Sequence, residues 1–269
     1  MADIIAAVVV YNKNCAKALA CQSLINLSGI EVLIVDNSTN DFGNSSYCAE
    51  MGWRYLCMNG NMGLPKAYNA VFKLLANWQG LIVLLDDDTA IGEGYFSALK
   101  EVAGSDQKAQ VFLPMVVDDK GILSPCRMKG HRVSRVKDPN AVAQCELTAI
   151  NSGLALRSPL SDDVRYDEKY FLDYADHAFF RLLRERGITL RLLNITIKQS
   201  FFNNQRGNKE AALQRFKTFI PDFLWFCDDG TWSRIYARLY IIKRSVILML
   251  RYSTPDFAWQ VFNAFFKAA

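Results

Sequence analysis

Apolar residues in this chain come in short unbroken runs that alternate with stretches of helical spacing. Ile4 to Tyr11 (IIAAVVVY) is continuous and rich in β-branched residues, the pattern of a strand buried on both faces in a parallel sheet. Lys13 to Leu27 is helical in composition. Glu31 to Val35 (EVLIV) predicts a second buried strand, running into Asp36-Asn37-Ser38, and Tyr55 to Met58 a short third. Leu64 to Trp78 carries apolar residues near helical spacing, with Pro65 suited to a first turn. Leu81 to Leu85 predicts the next strand and Gly94 to Val102 the next helix. Strand-helix alternation of this kind predicts a doubly wound α/β sheet.

Beyond Val111 to Met115 the rhythm breaks. Val117 to Gly121 predicts a turn, and the basic run at 126–137 (CRMKGHRVSRVK), which includes His131, predicts an exposed loop. Glu146 to Leu156 predicts a strand, Asp173 to Arg186 a helix, and Thr189 to Leu193 a strand. Residues 201–212 are polar, and from Thr231 the composition turns to long apolar and basic helices.

At 269 residues and 51% hydrophobic, the chain can bury a sizeable core, which excludes wholesale disorder. A formal charge of +4 does not ask for nucleic acid as a partner. The seven cysteines are scattered, with no CxxC or Cys/His ligand spacing, so structural zinc is not expected and a reduced, cytoplasmic chain is. The N-terminus lacks the charged leader of a signal peptide, and no uncharged apolar run reaches the ~18 residues of a membrane span.

Three predicted strands end in polar groups: Tyr11-Asn12, Asp36-Asn37-Ser38 and Asp86-Asp87-Asp88. In an open α/β sheet ligands bind outside the carboxyl ends of the strands, so these groups should share one crevice. Neither the dinucleotide G-x-G-x-x-G nor the P-loop pattern follows the first strand, so a phosphate needs another holder. On an extended chain Asp86 and Asp88 point the same way and Asp87 the other. Two such carboxylates opposite a diphosphate make an oxygen-rich site suited to Mg²⁺ or Mn²⁺. The same three residues also fit a solvated acidic turn.

VVVYN at 8–12, IVDNST at 34–39, NMGLPKAYN at 61–69 and LLDDDT at 84–89 resemble, in order, the nucleotide-binding elements of inverting glycosyltransferases of family 2. That family has the GT-A fold, a Rossmann-like, mostly parallel mixed sheet flanked by helices. The third element fits N-x-G-x-x-x-A-x-N through Asn61, Gly63, Ala67 and Asn69, and the fourth the family's D-x-D. FLDYAD at 171–176, followed by Arg181, resembles the acceptor-side acidic motif in the form of the rhamnosyltransferase branch. The resemblance covers roughly residues 4 to 200. It implies a catalytic domain over 1–200, with a nucleotide-binding part at 1–115 and an acceptor-binding part at 116–200, followed by a helical region at 201–269.

By resemblance, Asp36 would bond the pyrimidine ring, and Val10, Tyr11 and Asn12 would line the base and ribose pocket. Asp36 also suits a helix N-cap, as do Asn37 and Ser38. Asn61, Gly63 and Asn69 would set a helix N-terminus beside the donor, where Lys66 either adds charge or is simply solvated. Asp88 would ligate the metal. Asp86 would be a second ligand or a contact to the ribose or sugar, and Asp87, pointing away, a weaker donor contact. Asn151 and Gly153 would belong to the donor-sugar and acceptor pocket, or to a strand bulge.

In the family's usual E-D-x-D motif a carboxylate takes the acceptor proton. Here Tyr174 occupies the second place, which leaves Asp173 as the favoured base and Asp176 as the second candidate. In a helix the two would share one face at i, i+3; alternatively both cap the helix, with Arg181 paired to one. Relatives carry a histidine further along, where this chain has Lys198-Gln199-Ser200. Gln199 would offer one neutral oxygen, and Lys198 or Arg206 a charge for the diphosphate. His177 is expected on the helix surface or behind the site, and His131 on the basic surface.

Residues 231–255 interleave Arg234, Arg238, Lys243, Arg244 and Arg251 with aromatic and aliphatic residues, and 256–269 add Phe257, Trp259, Phe262, Phe265 and Phe266. This pattern fits a helix lying on the inner face of a membrane, and equally one packed on the catalytic domain or on a second copy of the chain. The leading expectation is therefore an enzyme that moves rhamnose or a hexose, with inversion, from a dTDP- or UDP-sugar to a free or lipid-linked saccharide in cell-surface polysaccharide synthesis. A non-catalytic GT-A-like binding module and a nucleotidyltransferase are the alternatives; the latter usually needs a glycine-rich loop that VVVYNKN does not supply.

Overall fold

The computed structural model describes residues 3–199 and 208–266. The chain divides into two compact units, one built from 3–166 and 176–199, the other from 167–175 and 208–266.

The first unit is a mixed, mostly parallel sheet. Strands β1 (Asp3–Val10), β2 (Glu31–Asp36), β3 (Arg54–Cys57) and β4 (Gly80–Asp86) are mutually parallel, with β1 between β2 and β4. Strand β10 (Leu154–Arg157) inserts antiparallel between β4 and β5 (Val111–Asp118), and β11 (Leu190–Lys198) runs parallel to β5. The order is β11-β5-β10-β4-β1-β2-β3, with β6 (Gly121–Ser124) closing a hairpin on β5. The winding reverses between β1 and β4, so the carboxyl ends of those two strands form the switch point where such sheets bind ligands.

Helices α1 (Leu19–Leu24), α2 (Asn44–Met51), α3 (Leu64–Leu74), α4 (Glu93–Ser105) and α5 (Ala175–Glu185) accompany the sheet. Successive residues of β1 feed two separate cores. Ile4, Ala6, Val8 and Val10 pack with Cys15, Cys21, Leu99 and Phe96; Ile5, Ala7 and Val9 pack with Tyr68, Phe72, Phe179 and Phe180. Burial on both faces explains why the strand reads as an unbroken apolar run.

Four expectations are corrected. The segment 13–27 is not one helix: a 3-10 turn at Cys15–Lys17 and α1 are separated by Ala18 in extended backbone. Long-range bonds hold the break, since Asn44 Oδ1 accepts from Cys15 N and the Asp87 carbonyl from Ala20 N. The basic run at 126–137 is largely a hairpin, β7 (Cys126–Lys129) with β8 (Arg132–Ser134), completed by β9 (Leu147–Thr148). Cys126 and Met128 turn inward and Arg127 and Lys129 outward, a period-two alternation hidden under the charge. Residues 146–156 form two strands of different sheets, β9 and β10, broken at Asn151-Ser152-Gly153. Finally, α5 begins only at Ala175, because Tyr174 has φ +61°. The expected i, i+3 relation of Asp173 and Asp176 on one helix therefore does not arise.

The second unit holds α6 (Lys209–Phe226), α7 (Thr231–Tyr252) and α8 (Asp256–Phe266). Its core is aromatic: Phe216, Phe219, Phe223 and Phe226 are buried, and Tyr174 lies 4.6 Å from Phe226 and 5.0 Å from Phe223. Arg244 places its guanidinium 3.8 Å above the Phe219 ring. Asp222, fully buried on α6, accepts the backbone N–H groups of Phe171, Leu172 and Asp173 at 2.9, 2.8 and 2.7 Å. Three charge-assisted bonds to one carboxylate fix the 171–173 segment to this unit.

Candidate active site

The three aspartates at the end of β4 meet different partners. Asp86 accepts from Tyr68 Oη at 2.9 Å and from Ser152 Oγ at 2.7 Å, one on each oxygen. Burial pushes its pKa up to about 6, against the Ser152 bond that lowers it, with the Asp88 charge adding to the rise. Asp87 turns away to an ion pair with Lys13 at 2.5 Å. Asp88 is raised by burial and by the Asp87 charge, and it accepts from Gln199 Nε2 at 3.4 Å. Gln199 also donates to Ser152 Oγ at 3.3 Å, so Asp86, Ser152, Gln199 and Asp88 form one chain of contacts.

At the neighbouring strand ends the protein satisfies much of what a ligand was expected to meet. Asp36 is buried, with Oδ1 accepting from Ser38 N and Oδ2 from Asn44 Nδ2 and Tyr55 Oη. Its carboxylate thus ties β2 to α2 and β3. It is not an N-cap, since the cap of α2 is Gly43, and neither Asn37 nor Ser38 takes that place. Val10 is in the core, while Tyr11 and Asn12 are exposed. Asn12 adopts φ +47° and clasps Thr39 through its Oδ1.

The loop before α3 is tied to β2. Asn61 Oδ1 accepts from Asn37 Nδ2 and Gly63 N, and Asn37 Oδ1 from Met62 N. Gly63 occupies the N-cap at φ +84° without a side-chain cap, which leaves the first-turn N–H groups open to an anion. Lys66 is half-buried on that helix. Asn69 instead clamps Tyr166, accepting from its N–H and donating to its carbonyl, both at 2.9 Å. Tyr166 Oη donates to Asn151 Oδ1 at 2.7 Å, and its ring stacks on Phe179 with centroids 4.0 Å apart.

Gly153 sits at φ +78°, and a Cβ there would meet Ile197 Cδ1 at 2.7 Å and Pro114 Cγ at 3.0 Å. The closest approach at this glycine is therefore the chain's own side chains. Tyr68, Tyr166 and Lys13 were missed as site residues because Tyr68 reads as one more apolar helix position and Tyr166 and Lys13 stand in no motif. Ser152, between Asn151 and Gly153, carried a weak signal.

In the acidic motif, Asp173 pairs with Arg215 at 2.9 Å within the second unit. Asp176, at the start of α5, accepts from His177 N, and its charge is among the causes that raise the Tyr68, Tyr166 and Cys126 pKa values. His177 Nδ1 lies 2.9 Å from Thr148 Oγ1, and Arg181 reaches the Gly130 carbonyl and His131 Nδ1. Lys198 ends β11; Ser200 and Arg206 lie outside the described residues.

Gln199 is 6% exposed, and its Oε1 has no hydrogen-bond partner among the described residues. A buried acceptor without a donor, on an amide whose nitrogen reaches a carboxylate raised by burial, fits a hard cation that takes oxygen ligands. Among the described residues no three His, Cys, Asp or Glu side chains cluster for a metal. The protein would supply Asp88, Asp86 and the Gln199 amide oxygen, and a bound diphosphate and water the rest.

No family model and no curated protein matches the sequence. Solved structures do match the fold. The S. aureus TarS 1–349 crystal structure is 14% identical, with TM-score 0.52, over 98% of this chain and 73% of that one. A mannosyltransferase from Pyrobaculum calidifontis, solved with GDP-Man and Mn²⁺, is 13% identical, with TM-score 0.57, over 100% of this chain and 88% of that one. Glucosyl-3-phosphoglycerate synthase from Mycobacterium tuberculosis, solved with Mn²⁺, UDP-glucose and phosphoglyceric acid, is 11% identical, with TM-score 0.50, over 85% and 81%. The fold is GT-A-like, as the motifs implied.

Proposed function

We propose that the chain is an inverting glycosyltransferase that uses a nucleoside-diphosphate sugar as donor and a saccharide as acceptor. The observation that carries this reading is the Asp86–Ser152–Gln199–Asp88 array at the β1/β4 switch point, with its unpartnered Gln199 Oε1. Two of the solved structures it resembles hold GDP-mannose or UDP-glucose with Mn²⁺, which supports the same class of donor here. For this chain dTDP-rhamnose and UDP-hexoses are the donors to try first, with a free or lipid-linked saccharide as acceptor.

Asp88, with Asp86 and Gln199, would hold Mg²⁺ or Mn²⁺ against the diphosphate. The ion, when bound, supplies Lewis-acid stabilisation of the leaving group. Tyr68 and Ser152 hold Asp86 in one orientation through both oxygens. The uncapped first turn of α3 adds N–H groups for the phosphates. Tyr11 and Asn12 form the exposed wall left for base and ribose, because Asp36 is occupied by Asn44, Tyr55 and Ser38.

An acceptor hydroxyl that attacks the anomeric carbon must lose its proton to a carboxylate. Asp173, favoured by its place in the motif, is neutralised by Arg215, and an ion-paired carboxylate is a weaker base. Asp176 becomes the first candidate, since no Arg or Lys pairs with it among the described residues and its one basic neighbour is His177 at 3.9 Å.

Calorimetry of the full chain against a panel of nucleotide sugars, with and without Mn²⁺, tests the reading. Binding of one donor that Asp88→Ala weakens is the expected result. Failure of every donor to bind removes the enzyme reading. Donor binding without transfer to any acceptor leaves a non-catalytic module.

A further inference from the structure

Helix α7 is apolar on two opposite faces. Ala237, Ile241 and Ser245 form its buried stripe. Trp232, Ile235, Leu239, Ile242, Val246 and Leu250 recur at steps of three and four on the other side, and all are exposed, Trp232 at 83%, Leu239 at 62% and Leu250 at 77%. On α8, Trp259, Phe262 and Phe266 are exposed as well; Trp259 stacks on Phe262 with centroids 5.5 Å apart, and Phe262 lies tilted 5.3 Å from Phe266. Arg238 lies 5.7 Å from the Phe265 ring, so the two helices meet along this basic edge.

An exposed apolar stripe with this spacing would also serve a helix from a second copy. Charge decides between the two. Helix α7 carries Arg234, Arg238, Lys243, Arg244 and Arg251 and no acidic residue. Arg234 pairs with Asp228, and Arg244 covers Phe219. Arg238, Lys243 and Arg251 flank or interrupt the apolar stripe without a carboxylate partner among the described residues. Two copies set stripe to stripe would oppose like charges in either orientation, whereas lipid phosphates would oppose them with charge of the other sign. Exposed Trp and Phe with long basic side chains that reach outward is the chemistry of an interfacial helix. Among the described residues no helix is long and apolar enough to cross a membrane, so the helix would lie along the surface and not span it.

We propose that the outer face of α7, together with the exposed rings of α8, docks the protein on an anionic lipid surface.

Flotation of the full chain with vesicles of phosphatidylcholine alone, or mixed with phosphatidylglycerol, tests this without any nucleotide sugar. It therefore stands or falls apart from the transfer reaction. The expected result is partition into the anionic vesicles only, weakened by salt, with a blue shift of tryptophan fluorescence. Lys243→Gln with Arg251→Gln should lower the partition coefficient about fivefold per charge, about 25-fold together. Leu239→Glu with Leu250→Glu should abolish partition while leaving the circular dichroism spectrum and Tm unchanged, because both side chains are exposed. Absence of partition into anionic vesicles overturns the proposal. So does partition that the Leu→Glu pair leaves intact, and so does a dimer in light scattering that the same pair dissolves while vesicles go unbound.

Discussion

Replacing Gly153 by alanine separates two explanations of that residue. If it is glycine to let a sugar come close, Gly153→Ala should weaken donor binding and leave folding alone. The structure gives it a different burden. An L-residue at φ +78° costs about 1–2 kcal/mol. The new Cβ would also sit 2.7 Å from Ile197 Cδ1 and 3.0 Å from Pro114 Cγ, an overpacking that costs about 1–3 kcal/mol. Together the loss is about 2–5 kcal/mol, a large share of the ~5–15 kcal/mol that keeps a domain folded. With a urea slope of about 2–3 kcal/mol/M, the midpoint followed by circular dichroism should fall by about 0.7–2.5 M. Ile197→Val removes only the Cδ1 atom of that contact and by itself costs about 0.5–1.5 kcal/mol. Combined with Gly153→Ala it should recover part of the loss, giving a coupling of about 1 kcal/mol or more in the double-mutant cycle. A Gly153→Ala midpoint within error of the parent, or strict additivity with Ile197→Val, would refute the packing account.

Three further outcomes are expected. Asp222→Asn leaves at least one of the three N–H groups of residues 171–173 without an acceptor, so stability should fall by about 1–3 kcal/mol; an unchanged Tm would show that the carboxylate is dispensable. Gln199→His puts a stronger ligand beside Asp88 and should raise Mn²⁺ affinity about tenfold, read by calorimetry, whereas unaltered affinity would place the ion elsewhere. Arg135 holds the Asp118 carboxyl down at about 2, below its ordinary value, so the pair's contribution is present above pH ~4 and is lost as pH falls through 2. Asp118→Asn should therefore cost up to about 1 kcal/mol at pH 7, roughly half of that or less near pH 2 and nothing near pH 1, and urea titrations that show an equal cost at pH 7 and near pH 2 would contradict the pairing.

The central sheet was legible because β1, β2 and β4 are buried on both faces and so read as unbroken apolar runs, and because each ends abruptly in polar residues. Order along the chain then placed Asn12, Asp36 and Asp86–Asp88 at the carboxyl ends of the strands, but the period-two reading of the three aspartates fails, because β4 ends at Asp86 and Asp87-Asp88 form a turn closed by Thr89 N on the Asp86 carbonyl. Asp87 is drawn to Lys13 from within that turn. What periodicity misses is the partner of each polar atom, because those partners are remote in sequence: Ser152 is 66 residues from Asp86, and Gln199 is 111 from Asp88. Asp36 looked free to read a base until Asn44 and Tyr55 folded onto it. Asp173 looked free to act as a base until Arg215 and Asp222 took hold of its side chain and backbone. Local pattern determined the strands and the residue types at their ends. Only tertiary packing decided which carboxylates are consumed in holding the fold and which, like Asp88 beside the Gln199 amide nitrogen, carry no ion pair among the described residues.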